Sequence, residues 1–322
     1  MRLLCFLVPV LLEASSIPHL VVVEKKAGAV GFYNPAGRRV AGVRVGVYPH
    51  EIVFSPDRKL AYVSDNGILW MQYAGEGGNT ISIIDLVKRQ KAGVIDLGTN
   101  RRPHGMDLDP KTNRLVCTTE NPDGLLLIDL NRRQVLRRYD VQGEDPHMVL
   151  LGPDGKWAFV SNSSSNTVAA VELETGAVKL IPTDARPQGG VLSVDRKTIY
   201  ITNSNGNSIS IIDPEKKERI GTIATGRGPA RIAMTPDGKT LVYNLQAGQA
   251  IGFADVSLRK QTAEIALGGD PLSLTLSPDG RYAFTGVQDQ DKIFIISVPE
   301  RKIVKVIATP KESGPDPVMP LP

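Results

Sequence analysis

The chain has 322 residues, a formal net charge of +4, 41% hydrophobic and 22% charged residues, and only 5% aromatics. That balance excludes a disordered chain and leaves a core built from Val, Ile, Leu and Ala. Two cysteines, Cys5 and Cys117, exclude a disulfide scaffold and a thiolate zinc cluster, and no Lys/Arg run is long enough to read as a nucleic-acid footprint.

At the start, Arg2 precedes the apolar run Leu3 to Leu12, and the small residues Ala14, Ser15 and Ser16 follow Glu13. A basic start, a short apolar core and small residues predict a signal peptide over 1–16, and so a periplasmic or secreted protein whose residues 17–322 form one domain. The run is too short to span a bilayer as a helix. Cleavage leaves Cys117 as the one thiol, and its neighbours Leu115 and Val116 predict that it is buried as a small hydrophobe.

The rest of the chain repeats. Each unit opens on a proline, at Pro49, Pro103, Pro146, Pro187, Pro229, Pro271 and Pro317. An apolar run and a turn follow, as in Ser55-Pro56-Asp57, Thr235-Pro236-Asp237-Gly238 and Ser277-Pro278-Asp279-Gly280. Proline presets the second turn position and glycine tolerates the last. A period of about 42 residues is that of a four-stranded propeller blade. Six units run complete from Pro49. The stretch 20–45 supplies three more strands, Leu20–Val23, Val30–Tyr33 and Val40–Val45, and residues 316–321 can supply the missing innermost one. The expected fold is all-β, a seven-bladed β-propeller closed by N- and C-terminal strands sharing one blade. Closure removes the sheet edges that invite aggregation.

Tyr200-Ile201-Thr202-Asn203 and Phe159-Val160-Ser161-Asn162, followed by Asn-Ser-Ile or Asn-Thr-Val and, in the first, by Ile212-Asp213, resemble the YVTN β-propeller repeat. The resemblance covers nearly all of residues 17–322. It implies a secreted or surface seven-bladed propeller of the group that includes surface-layer and lactonase-like proteins, and it fixes no reaction. Two blades depart from it, with Leu245 and Val287 where Asn is expected.

In such a ring the residue after each leading proline points to the mouth of the central channel. Round the ring these are His50, His104, His147, Gln188, Ala230, Leu272 and Val318, so three of the four histidines fall in consecutive blades. A second ring, closing each second strand, reads Glu24, Asp65, Glu120, Asn162, Asn203, Leu245 and Val287, with its acids beside the histidines. The first blade carries an insertion between its second and third strands, with Trp70 and Tyr73 ahead of Gly75-Glu76-Gly77-Gly78, which reads as a lid or a ligand platform. Three His with Gln188 and Glu120 suit one divalent ion, Mn, Fe, Zn or Cu, while Trp70, Tyr73, Glu24 and Asp65 are candidates for contacting a ligand. Arg101-Arg102, Arg132-Arg133 and Arg137-Arg138 read as solvated turns and strand edges. No Gly-x-Ser-x-Gly nucleophile elbow is present.

Two function classes follow. One is an exported, monomeric binding propeller that holds a small molecule, metal or protein partner on its top face. The other is a metal-dependent lyase or lactone hydrolase using His50, His104 and His147. Nucleic acid is not expected as a partner, because bases want interleaved aromatics.

Overall fold

Apolar runs of Val, Ile, Phe and Tyr, punctuated by Pro-Asp-Gly turns, fold as strands throughout the computed structural model, which describes residues 17–321. The expected signal peptide lies outside the described residues. Among them no helix is long and apolar enough to cross a membrane, and the single helical element is the 3₁₀ turn Gln288–Gln290.

The strands form seven four-stranded antiparallel sheets arranged as the blades of a β-propeller. Blade one comprises Pro49–Phe54, Leu60–Asp65, Thr80–Asp85 and Gln90–Asp96, from the channel outward. The middle strands of each blade are buried on both faces, as in Ile81 to Ile84. Outer strands alternate, as Lys302–Ala308 does, because one face meets the neighbouring blade and the other meets water. Seven apolar clusters make up the core, each shared between two adjacent blades. Cys117 sits fully buried in the cluster between blades one and two. Burial pushes its thiol up to about 12.

The last blade joins the two ends of the chain. Pro315–Leu321 is its innermost strand and pairs with His19–Glu24, followed outward by Ala29–Tyr33 and Arg39–Arg44. Its register corrects one detail. In most blades the leading proline faces the residue that closes the second strand, as Pro49 faces Asp65 and Pro187 faces Asn203. Here Glu24 faces Pro315, so Pro315 and not Pro317 is the leading proline. Asp316 then takes the channel-mouth position and Val318 is a core residue, fully buried against Phe284 and Ile293. Blade two shifts likewise, because Pro103 faces Thr119 and leaves Glu120 one step beyond the strand-closing position.

In blades two and four the hydroxyl before the strand-closing residue stitches adjacent blades near the axis. Thr118 Oγ1 donates to the His147 carbonyl at 2.8 Å and Thr202 Oγ1 to the Ala230 carbonyl at 2.6 Å. Gly105 permits this close approach: a Cβ there would meet the His147 carbonyl oxygen at 2.5 Å.

Candidate functional site

The leading prolines impose the geometry of the channel mouth. The residue before the proline has positive φ at Tyr48, Arg102, Asp145 and Arg186. This tight turn hands the chain into the innermost strand and sets the next side chain toward the axis. His50, His104 and His147 are brought together there, each at least 95% buried. The His50 and His104 rings meet edge to face with centroids 4.5 Å apart, and the His104 and His147 rings do so at 4.3 Å.

A chain of hydrogen bonds runs through two of them. His50 Nε2 lies 2.8 Å from the Ile68 carbonyl oxygen, and His50 Nδ1 lies 3.2 Å from His104 Nε2. His104 Nδ1 lies 2.6 Å from Glu120 Oε1. Arg102 Nη2 completes the chain, 2.9 Å from Glu120 Oε2 and 2.7 Å from the Met71 carbonyl oxygen. Arg102 therefore turns inward, with its side chain 12% exposed, and corrects its reading as a solvated turn residue. Among the described residues His147 Nδ1 is buried without a hydrogen-bond partner. Burial, reinforced by the charge of Lys25, holds His50 well below the usual imidazole range, and burial does the same to His147. Among the described residues no group of three or more His, Cys, Asp or Glu closes as a metal cage.

Above the imidazoles lies a cavity of about 330 Å³. Gln188, Ala230 and Leu272 line it as the proline register predicts, and Asp316 takes the seventh place. The insertion supplies one wall with Leu69, Trp70, Met71 and Gln72, while Tyr73 lies outside the lining and is half exposed. Lys25, Arg186, Arg231 and Gln246 were not singled out from the sequence, yet all line the cavity. Lys25 and Gln246 each follow a strand-closing residue, and Arg186 precedes a leading proline. The repeat register could therefore have marked them, had it been read one step either side.

Charge is unevenly satisfied. Lys25 stands 3.7 Å from Asp316 and 5.3 Å from the Trp70 ring centroid. Burial lowers the Lys25 ammonium and raises the Asp316 carboxyl, each opposed by the other's charge. Arg231 pairs at 2.6 Å with Glu51, three blades further round the ring, and so spans the channel beneath the cavity. The Arg186 guanidinium has no ion-pair or hydrogen-bond partner among the described residues.

The structure does not bring Glu24 or Asp65 to the cavity. Glu24 accepts from Tyr33 Oη at 2.8 Å and from Arg39 Nε at 2.7 Å. Asp65 accepts from Thr80 and Ser82 hydroxyls and the Gly46 amide. Both carboxylates are used up in holding their own blades. Glu120 stands behind His104, on the side away from His50.

No protein-family model and no curated protein matches the sequence. Solved structures share the fold. A functionally unknown protein from Desulfotomaculum acetoxidans is 15% identical, with a TM-score of 0.79 over 94% of this chain and 98% of that one. The periplasmic gluconolactonase PpgL of Pseudomonas aeruginosa is 15% identical, with a TM-score of 0.77 over 94% and 99%. A hydrazine synthase chain from Kuenenia stuttgartiensis is 18% identical, with a TM-score of 0.68 over 81% and 86%. At these identities the likeness is one of fold, and fold does not carry function.

Proposed function

We propose that this propeller is an exported receptor for a small carboxylate-bearing molecule, held at the channel mouth. The observation that carries the reading is the partnerless Arg186 guanidinium on the rim of a cavity floored by buried histidines. A planar fork of donors matches a carboxylate, and a half-desolvated cation left without a counter-ion favours an anion. The volume suits a small molecule. Gln188 and Gln246 offer amides to hydroxyl groups, and Trp70 offers an apolar wall. Calorimetry and Trp70 fluorescence against four- to six-carbon hydroxy acids test it. Arg186→Ala should weaken the best binder by at least about tenfold, the scale of one charge-assisted bond. Equal affinity in the variant would refute the anchor.

A second reading is supported by the pair of His104 and Glu120. A carboxylate 2.6 Å from one ring nitrogen orients an imidazole as a general base. Hydrolysis of a sugar lactone then gives the hydroxy acid that the cavity would hold as product, an activity of the kind named for the gluconolactonase that shares this fold. A pH-stat assay with aldonolactones tests this; rates equal in wild type and His104→Gln would dismiss it.

A further inference from the structure

We infer that His50 and His104 form a two-nitrogen chelate for a divalent cation of the zinc class at the floor of the mouth, oriented from behind by the Ile68 carbonyl and Glu120. The argument begins with proton counting. A carbonyl oxygen only accepts, so the 2.8 Å contact from Ile68 puts the proton of His50 on Nε2. Nδ1 of the neutral ring is then a bare lone pair. Glu120 is paired through its other oxygen with Arg102, so it too is an acceptor, and the proton of His104 belongs on Nδ1. Nε2 of that ring is also a bare lone pair. These two nitrogens face each other across 3.2 Å. Three contacts in the row need three protons, and two neutral imidazoles bring two. The contact between the rings lacks its proton, and a proton or a metal ion can fill that place.

A metal ion meets that need at the nitrogen separation already present. Two nitrogens bound at 2.0–2.1 Å to a tetrahedral ion stand roughly 3.3 Å apart, against 3.2 Å here. The outer bonds are those of metal-bound histidines, whose second N–H goes to a backbone carbonyl or a carboxylate. Imidazole donors select zinc or copper over magnesium or calcium. A second observation points the same way. His147, edge to face with His104, is 5% exposed and its Nδ1 has no partner among the described residues, which makes it a further donor beside the pair. With two fixed nitrogens the site stays open toward the cavity, where water or an anionic ligand would complete it. Of the neighbouring positive charges, Lys25, Arg231 and Arg102 are paired with Asp316, Glu51 and Glu120, and Arg186 is the one left among the lining residues to draw in the anion that would complete the shell.

The test uses zinc alone, so that it stands apart from the carboxylate reading. Protein stripped with chelator is dialysed against zinc chloride, and bound metal is counted. One ion per chain is expected, retained by Arg186→Ala and lost in His50→Gln and His104→Gln. Glu120→Gln should weaken binding by about 10–100-fold. No zinc retained by wild type, or equal zinc retained by both histidine variants, overturns the inference. X-ray absorption of the wild-type zinc form guards against variants that fail to fold: fewer than two imidazoles in the coordination shell also overturns it. Failure of Arg186→Ala to change carboxylate affinity, with zinc still bound, would instead fault the receptor reading.

Discussion

Removing the last strand should cost this ring most of its stability. A chain ending at Ser313 loses Pro315–Leu321 and its pairing with His19–Glu24. It exposes the apolar surface covered by Val318, which is fully buried and worth about 1.5–3 kcal/mol. It also strips Lys25, 3% exposed, of the Asp316 carboxylate, and an uncompensated buried charge costs about 3–5 kcal/mol. The Thr275 hydroxyl loses the Val318 carbonyl oxygen at 2.5 Å. Together these reach roughly 5–9 kcal/mol, against a total of about 5–15 kcal/mol for a native protein. The truncated chain should be largely unfolded or aggregated at 25 °C, with two bare strand edges left to pair with other copies. Val318→Ala in the full chain, which opens a cavity and leaves every backbone bond in place, should cost only about 2 kcal/mol. Urea unfolding followed by circular dichroism, with size-exclusion chromatography, separates the three proteins. Coincident unfolding curves for the truncated and full chains would refute the account of closure.

Other outcomes follow from the mouth. His50 and His147 are held neutral while unfolded imidazoles titrate near 6.5, so below that pH the unfolded state binds protons that the fold refuses. The contribution of these two histidines should be flat above about pH 6.5 and fall below it by up to roughly 1.4 kcal/mol per unit for each in chelator-treated protein, and His147→Gln should halve the slope between pH 6.5 and 5.5 in urea titrations. The raised carboxyls of Asp65, Asp107 and Asp316 act with the opposite sign, stabilising the fold as pH falls through their native values. Gly105→Ala drives a Cβ to 2.6 Å from Met148 Cα and should cost about 3 kcal/mol in the same assay, whereas Gly98→Ala meets nothing within 4 Å and should cost about 1 kcal/mol through its positive φ. Exchanging residues 68–77 for a short turn should leave the melt within about 2 kcal/mol of wild type, since loop length is cheap, while removing the Trp70 wall and lowering ligand affinity at least tenfold in calorimetry.

The fold was legible because its determinants are local and periodic. The Pro-Asp-Gly turns, the alternating outer strands and the recurring proline all lie within a few residues of what they specify, and the closing strand followed from a blade short of one member. The histidine cluster was legible for the same reason, since one repeat position maps onto one place in the ring. What failed was register by one or two residues. Pro317 resembles a leading proline as well as Pro315 does, and only the pairing of Glu24 with Pro315 decides between them. Glu24 and Asp65 were credited with ligand contact because acids stand near the histidines in the repeat. Their actual partners, Tyr33, Arg39, Thr80 and Ser82, are set by side-chain direction across a sheet. Arg102 and Arg186 occupy the same repeat position, yet one is bound to Glu120 and the Met71 carbonyl and the other is left unpaired. That difference depends on the insertion in a neighbouring blade, which no local pattern records.

The ion pair of Arg231 and Glu51 bears on traffic through the ring. A propeller is often pictured as a doughnut with a hole, but here a charged crossbar bridges the hole from blade five to blade one. Below it Met148, Ile232, Ser273, Leu274 and Met319 line a separate pocket of about 140 Å³. The tunnel is thus two back-to-back cups. Whatever settles on the histidines arrives and departs through one rim, past Trp70 and Arg186. Two molecules that need the same floor must then exclude each other, whereas an ion on the histidines and an anion beside it can be held together.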